Sequence, residues 1–376
     1  MKQKHGDIIY TGWNYEVRRD GDKYFGYEKK VATNPRKSFA YIHALETSIE
    51  ESIKEAMNKI KLKNMIKSTN RVAIKVNLCG GFPQVIASQT PLKGVEGLID
   101  YLLDFMDSSQ IYLAEANNWG HVVDKRLLKK RGYEKLCNLK KVKFLSLSYT
   151  PKLYFYFKGV NYPVLLSRHL LHPNMKIINF APLKRHWECI ITGASKNLYG
   201  AISDEAKTRF HKYTAKNSLD HVIAGCARVY NPEINILGGK CICANLGPHF
   251  CRPTRFNHLI IGNDFLAVDK IAAEVLNVRY ERIMHLVLNE KLKIWNSNAP
   301  LLKGSATIPD SILNKIRKWD LSETQAMANR VRLRFIYLAP PQLMRALRYY
   351  EFVIPIVANY VLFGRRGDCN MRFEDE

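Results

Sequence analysis

Two hydrophobic periods alternate along this chain. In HALETSIEESIKEAMNKI (43–60), Leu45, Ile49, Ile53 and Met57 recur every four residues, which predicts an amphipathic helix. RVAIKVN (71–77) is a short, nearly continuous apolar run ending in Lys75 and Asn77, which predicts a buried strand. LCGGFP follows, and then a helix from about Leu92 to Met106. SQIYLAEA (109–116) is the next strand and ends in Glu115; a helix over 124–136 leads to the strand VKFLSLS (142–148), and MKIINF (175–180) is a further one. Beyond residue 200 come a helix near 218–230, the strands INILGG (234–239) and HLIIGN (258–263), and the helix DFLAVDKIAAEVLNV (264–278). Residues 1–40 are polar, aromatic and irregular, with a short hairpin around Tyr24.

Strands that are buried and separated by helices predict an α/β fold: a mainly parallel sheet flanked by helices in Rossmann-like layers. The expected division is an irregular segment 1–40, an α/β domain over 41–300 and a helical, basic C-terminal extension over 301–376. In such sheets ligands sit beyond the carboxyl ends of the strands. Polar residues fall at or just past those ends three times over: Lys75 with Asn77, then Glu115, then Lys184 with His186.

The last of these opens the densest stretch, NFAPLKRHWECIITGASKNLYG (179–200). It gathers Lys184, Arg185, His186, Thr192, Ser195, Lys196 and Asn197 where a strand gives way to a helix. Backbone N–H groups and the helix dipole favour negative charge at such a place. The plain alternative is a solvated basic loop whose hydroxyls cap the helix. In the functional reading Lys75, Lys184 and Lys196 hold an anion, Asn77 and Asn197 donate to a substrate oxygen, Thr192 holds the loop, and His186 or Glu115 moves a proton.

Composition bounds these readings. Of 376 residues, 47% are hydrophobic and 24% charged, as in an ordinary globular protein. Lys+Arg number 58 against 34 Asp+Glu, a formal charge of +24, which favours anionic partners. The charge is spread rather than blocked, and there is no basic arm or zinc-finger spacing, so composition argues against nucleic acid. No apolar run is long enough for a transmembrane helix; the nearest, FVIPIVANYVLF (352–363), has a proline inside. Arginines alternating with apolar residues over 330–366 suit a membrane surface, or an element packed back on the domain. The N-terminus has no secretory h-region, so a cytoplasmic setting with reduced thiols is expected, with peripheral membrane attachment as the variant.

Sulfur supplies a competing chemistry. KCICANLGPHFC places Cys241, Cys243, His249 and Cys251 within one short segment, a donor set that suits zinc or an iron–sulfur cluster. Cys-x-Cys pairs are also common as small buried apolar residues. Asp264 and Asp269, alone or with Glu115, are an alternative oxygen site for a divalent metal, though Asp264 equally suits a helix N-cap.

These residues resemble the domain-of-unknown-function 362 family from about Arg71 to Val278. The likeness is carried by VAIKVN, Thr90-Pro91, Glu115, PLKRH with ITGASKNLYG, Asn245 to Pro248, and GNDFLAVDKIAAEVL. Val76 and Gly238 depart from it, standing where the family has proline and commonly aspartate, and the Cys-x-x-Cys-x-x-Cys run of some members is absent. The resemblance implies a fold and a site, and leaves the reaction open. Two readings stand: an enzyme binding a phosphorylated or carboxylated small molecule, with or without metal assistance; and a metal or iron–sulfur redox protein serving a redox partner. A basic nucleic-acid or membrane-surface protein is a third.

Overall fold

The computed structural model describes residues 4–29, 34, 36–66, 71–79, 86–117, 122–186, 188–202, 207, 210, 219–244, 247, 253–295 and 299–318. Its strands are β1 (Asp7–Thr11), β2 (Tyr15–Asp20), β3 (Lys23–Glu28), β4 (Ala40–Ala44), β5 (Arg71–Lys75), β6 (Ile111–Glu115) and β7 (Lys143–Ser146). They continue with β8 (Lys152–Tyr156), β9 (Val164–Ser167), β10 (Met175–Ala181), β11 (Lys184–His186), β12 (Ile190–Thr192), β13 (Ile234–Cys243) and β14 (Pro253–Gly262).

The main sheet runs β4-β14-β13-β10-β5-β6-β7, with the β11–β12 hairpin attached to the end of β13 through the Lys184–Cys243 pair. Strands β13, β10, β5, β6 and β7 are parallel to one another. β14 is antiparallel to both of its neighbours, β13 and β4. From β5 the chain steps outward through β6 to β7, then returns to the other flank of β5 as β10 and moves on to β13. The connections therefore diverge between β5 and β10, the position beyond whose strand ends ligands of open α/β sheets bind.

Strand alternation gives the sheet two covered faces. Val72 and Ile74, Ile178 and Phe180, and Ile234 and Ile236 share a core with Ile53 and Met57 of the helix Ile49–Lys59 and with Leu98 and Leu102 of the helix Leu92–Leu103. Ala73, Ile177 and Leu237 share the opposite core with residues of the helices Ala194–Tyr199, Leu219–Tyr230 and Phe265–Val275. The first helix starts later than its apolar period suggests. Residues 40–44 pair with β14 instead, and Ser48 caps the helix by accepting from the Glu51 N–H at 3.2 Å.

The expectation of an irregular segment 1–40 is corrected. The hairpin around Tyr24 exists as β2–β3, but it belongs to a second sheet, β1-β2-β3-β8-β9. Its inner face, including Tyr15, Val17, Leu153, Phe155 and Leu166, joins the core beside the main sheet. One buried ion pair anchors it: Arg228 Nη2 donates to Glu28 Oε2 at 2.9 Å and Nε donates to the other oxygen, while Nη1 donates to Asn289 Oδ1 at 3.0 Å. No helix among the described residues is long and apolar enough to cross a membrane. Of the expected C-terminal extension, residues 319–376, with the 330–366 stretch, lie outside the described residues; the helix Asp310–Lys318 precedes them.

Removing one partner of a buried pair leaves an uncompensated charge, which costs about 3–5 kcal/mol. Glu28→Ala is therefore expected to lower the unfolding free energy by that amount in urea denaturation. An unchanged midpoint would show that the small sheet docks without the pair.

Candidate functional site

One polar row crosses the apolar main sheet. Lys75 on β5, Asn179 on β10 and Asn235 on β13 are in register, and all three are fully buried. A polar group in such a place must find partners or it destabilises the fold. The asparagines find one another. Asn179 Nδ2 donates to Asn235 Oδ1 at 2.9 Å, Asn197 Nδ2 donates to Asn179 Oδ1 at 2.7 Å, and Asn77 Nδ2 donates to Asn197 Oδ1 at 2.9 Å. Lys184 Nζ ends the relay by donating to Asn77 Oδ1 at 3.1 Å. The chain of bonds links β13, β10, the helix Ala194–Tyr199, the residues just past β5 and the hairpin strand β11.

The charges are arranged around that relay. Lys75 Nζ donates to Glu115 Oε1 at 2.8 Å and to the Val76 carbonyl at 2.6 Å, with both side chains out of reach of solvent. Glu115 also accepts from the N–H groups of Leu78 at 3.0 Å and Ala116 at 2.9 Å, so it holds the chain just past both strand ends. Burial pushes the Lys75 ammonium down, against the pull of Glu115. Burial also pushes Lys184 down, to about 8. Its Nζ donates to the carbonyls of Ser88 at 2.6 Å and Cys79 at 3.5 Å besides Asn77, so this amine closes the segment that follows β5. Lys196 repels both buried amines. It is half-buried and lies 4.7 Å from the centre of the Tyr199 ring.

The anion at the helix N-terminus is the protein's own. Asp269, fully buried on the helix Phe265–Val275, accepts from the N–H of Ala194 at 2.6 Å and of Ser195 at 2.9 Å. The glycine before that helix is required: a Cβ on Gly193 would lie 2.0 Å from Asp269 Oδ1. Asp264 caps its own helix, accepting from Leu266 N at 2.8 Å and Ala267 N at 3.2 Å, and it accepts from the Ser38 hydroxyl at 2.8 Å. Two expectations are thereby revised. The N-terminus of Ala194–Tyr199 is not an open anion site, and the two aspartates serve as caps rather than as a shared oxygen cluster.

The remaining expected residues divide. His186 is half-buried, and its Nδ1 accepts from the N–H of Glu188 at 3.1 Å and of Cys189 at 3.2 Å. That role places the ring proton on Nε2. Thr192 pairs with Lys184 across the β11–β12 hairpin and is buried. Cys241 and Cys243 lie on β13 and are disulfide-bonded, which departs from the reduced thiols expected and removes both sulfurs as thiolate ligands in this state. His249 and Cys251 lie outside the described residues. Among the described residues, no group of three or more His, Cys, Asp or Glu could hold a metal ion.

Asn179 and Asn235 carry no expectation from the sequence, and Lys207 only that of a basic loop, either a flap over the site or a solvated charge run. An asparagine in the middle of MKIINF and another in INILGG were the available signal, because a buried strand does not carry an unpartnered amide. Lys207 is buried and donates to the Asn117 carbonyl at 2.6 Å, beyond the end of β6. No spacing distinguished it from its solvated neighbours.

Fold and site together define an α/β protein with Lys75, Lys184 and Lys196 gathered beside the carboxyl ends of β5 and β10. The family model described as Domain of unknown function (DUF362) matches residues 72–274, more than half of the chain, and the chain belongs to that family. It is also similar to the thylakoid-associated protein sll1697 of Synechocystis sp., 25% identical over 149 residues that make up 39% of this chain and 46% of the relative. The chain thus spans about half the length of that curated relative. Gly238, one departure from the family pattern, has a local cause: its φ is +103°, and a Cβ there would lie 2.5 Å from the His258 carbonyl oxygen.

Asn179→Leu severs two relay links and leaves buried amides unsatisfied, at about 1–3 kcal/mol for each group stranded. Its unfolding free energy is expected to fall by roughly that much, while Lys196→Ala, at a half-buried position outside the relay, changes it little. Equal losses in both variants would refute this division between framework and site.

Proposed function

We propose that this chain binds an anionic small molecule, phosphorylated or carboxylated, in the crevice between β5 and β10. The observation that carries the reading is a gathering of cations: Lys75, Lys184 and Lys196 lie within electrostatic reach of one another, and one thiol, Cys79, and one carboxylate, Glu115, act on both buried amines with the opposite sign. A bound anion relieves that repulsion. The donors of Lys75 and Lys184 are spent on the fold, so these amines act through their field, and direct contact falls to Lys196. In this reading His186 offers its Nε2–H to the ligand as a hydrogen-bond donor, its Nδ1 being held by the Glu188 and Cys189 N–H groups, and the protein is an enzyme of a reaction class still open. The layering of helices about the β5–β10 crevice is read as Rossmann-like, the arrangement in which a ligand lies at the switch between diverging connections.

Inorganic phosphate or a small carboxylate such as citrate is expected to raise the melting temperature in a thermal-shift titration, by the mass-action stabilisation that any native-state ligand gives. Lys196→Ala is expected to weaken that effect about tenfold or more, the loss of one charge-assisted contact, without lowering the melting temperature of the free protein. His186→Ala is expected to weaken it as well, with a modest fall in the melting temperature of the free protein because the Glu188 and Cys189 N–H groups lose their acceptor. If both variants unfold the protein, the motif is structural and the assignment fails.

The pH dependence has a definite sign. An anion favours the charged form of Lys184, which in the free protein titrates at about 8. Binding therefore takes up part of a proton and weakens as pH rises through that value. Calorimetry in two buffers of different ionisation enthalpy should detect the uptake near pH 8. Affinity that is flat from pH 7 to about 9 would remove Lys184 from the site.

A further inference from the structure

The small sheet carries a second surface, distant in sequence from the crevice residues. Its edge strand β1 exposes two consecutive isoleucines, Ile8 at 52% and Ile9 at 44%. Consecutive residues of a regular strand point to opposite faces. Here the register with β2 slips between Ile8 and Tyr10, a bulge at Ile9 that leaves both side chains in solvent.

Cations flank this apolar edge. The ring of Tyr10 lies 5.7 Å from that of His172, and the guanidinium of Arg168 lies 3.7 Å from the centre of the Tyr24 ring, with Arg19 at 5.7 Å from the same ring. His169, in the same turn, is pushed down by burial and then by Arg168, Arg71, His172 and Lys152, all acting in one direction. The nearby acids are Asp7, paired in register with Arg19, Asp20 on the same strand with Asp22 in the turn that follows, and Glu16, which faces Thr11 across the β1–β2 pair and is ion-paired with Lys4 and Arg18.

We propose that the β1 edge docks the protein on an anionic phospholipid surface, with Ile8 and Ile9 entering the acyl boundary and Arg168, Arg19 and His172 facing the phosphates. An apolar tip beside cations is the pattern that binds such interfaces. Two other occupants fit less well. A second copy would bring together chains of net charge +24, and the bulge spoils edge-to-edge strand pairing. Single-stranded nucleic acid needs bare aromatic faces to stack on. On this sheet the rings stack on each other, Tyr27 on Tyr156 at 5.1 Å and Phe25 on Tyr154 at 5.9 Å, and the edge itself is aliphatic.

The test is co-sedimentation of the full chain with vesicles of phosphatidylserine in phosphatidylcholine, and with phosphatidylcholine alone. Binding to the anionic vesicles, weakened by salt, is expected. Ile8→Ser with Ile9→Ser should reduce partitioning about tenfold, and Arg19→Glu with His172→Glu should reduce it further at low salt than at high. Circular dichroism melts should match the parent, since all four positions are exposed. Three results overturn the proposal: no preference for the anionic vesicles, unchanged binding by the isoleucine variant, or a parent dimer in light scattering that this variant dissolves. A loss of single-stranded oligonucleotide binding in the charge variant, with vesicle binding intact, would reassign the surface to nucleic acid.

Discussion

A lysine ammonium buried in the centre of a sheet is the constraint around which the rest is organised. Lys75 has no route to water, so its charge must be met inside the fold. Glu115 meets it from the neighbouring strand and with its remaining capacity fixes the N–H groups of Leu78 and Ala116. The Lys75 carbonyl accepts from Asn197 at 3.3 Å, which ties the same residue into the asparagine relay. Half-satisfied buried networks are worse than apolar cores, and fully satisfied ones specify a single arrangement. This one sets the relative positions of β5, β6, β10, β13 and the helix Ala194–Tyr199.

That origin explains why one motif contains two kinds of residue. Within PLKRH and ITGASKNLYG, Lys184 and Asn197 are consumed by internal bonds, and the backbone of Ala194 and Ser195 is consumed by Asp269. Lys196, one residue from Asn197, projects from the same helix into a half-buried position. Helical geometry turns adjacent residues by about 100°, so one face of a short helix completes the framework while the next leaves Lys196 outside it. A polar cluster in sequence is therefore no measure of how many of its members meet a ligand.

Much of this fold was legible in the chain. The parallel strands announced themselves as apolar runs ending in charge, as at Lys75 and Glu115, because a strand buried on both faces has no polar side. The small sheet was harder to see. KYFGYE and KLYFY each open on one lysine and run on through aromatics without a clean alternation, and they pair across a gap of well over a hundred residues as neighbours β3 and β8. No local period reports a partner so remote. The helical period takes in His43 and Ala44, the last two residues of β4, because pairing with β14 decides their conformation against that pattern. Among site residues, those with charge stood out and the asparagines inside strands did not, although those amides hold Asn197, which ties Asn77 and the Lys75 carbonyl together.

Gly193 and Asp269 make one inherited unit from two distant positions. The missing side chain at 193 is the space that the carboxylate from 269 occupies, and the carboxylate answers the backbone that the glycine leaves open. A lineage cannot change either alone without passing through a misfit, by collision in one order or by bare helix donors in the other. Across the family the two positions should therefore vanish together or persist together, whatever molecule each descendant has come to bind.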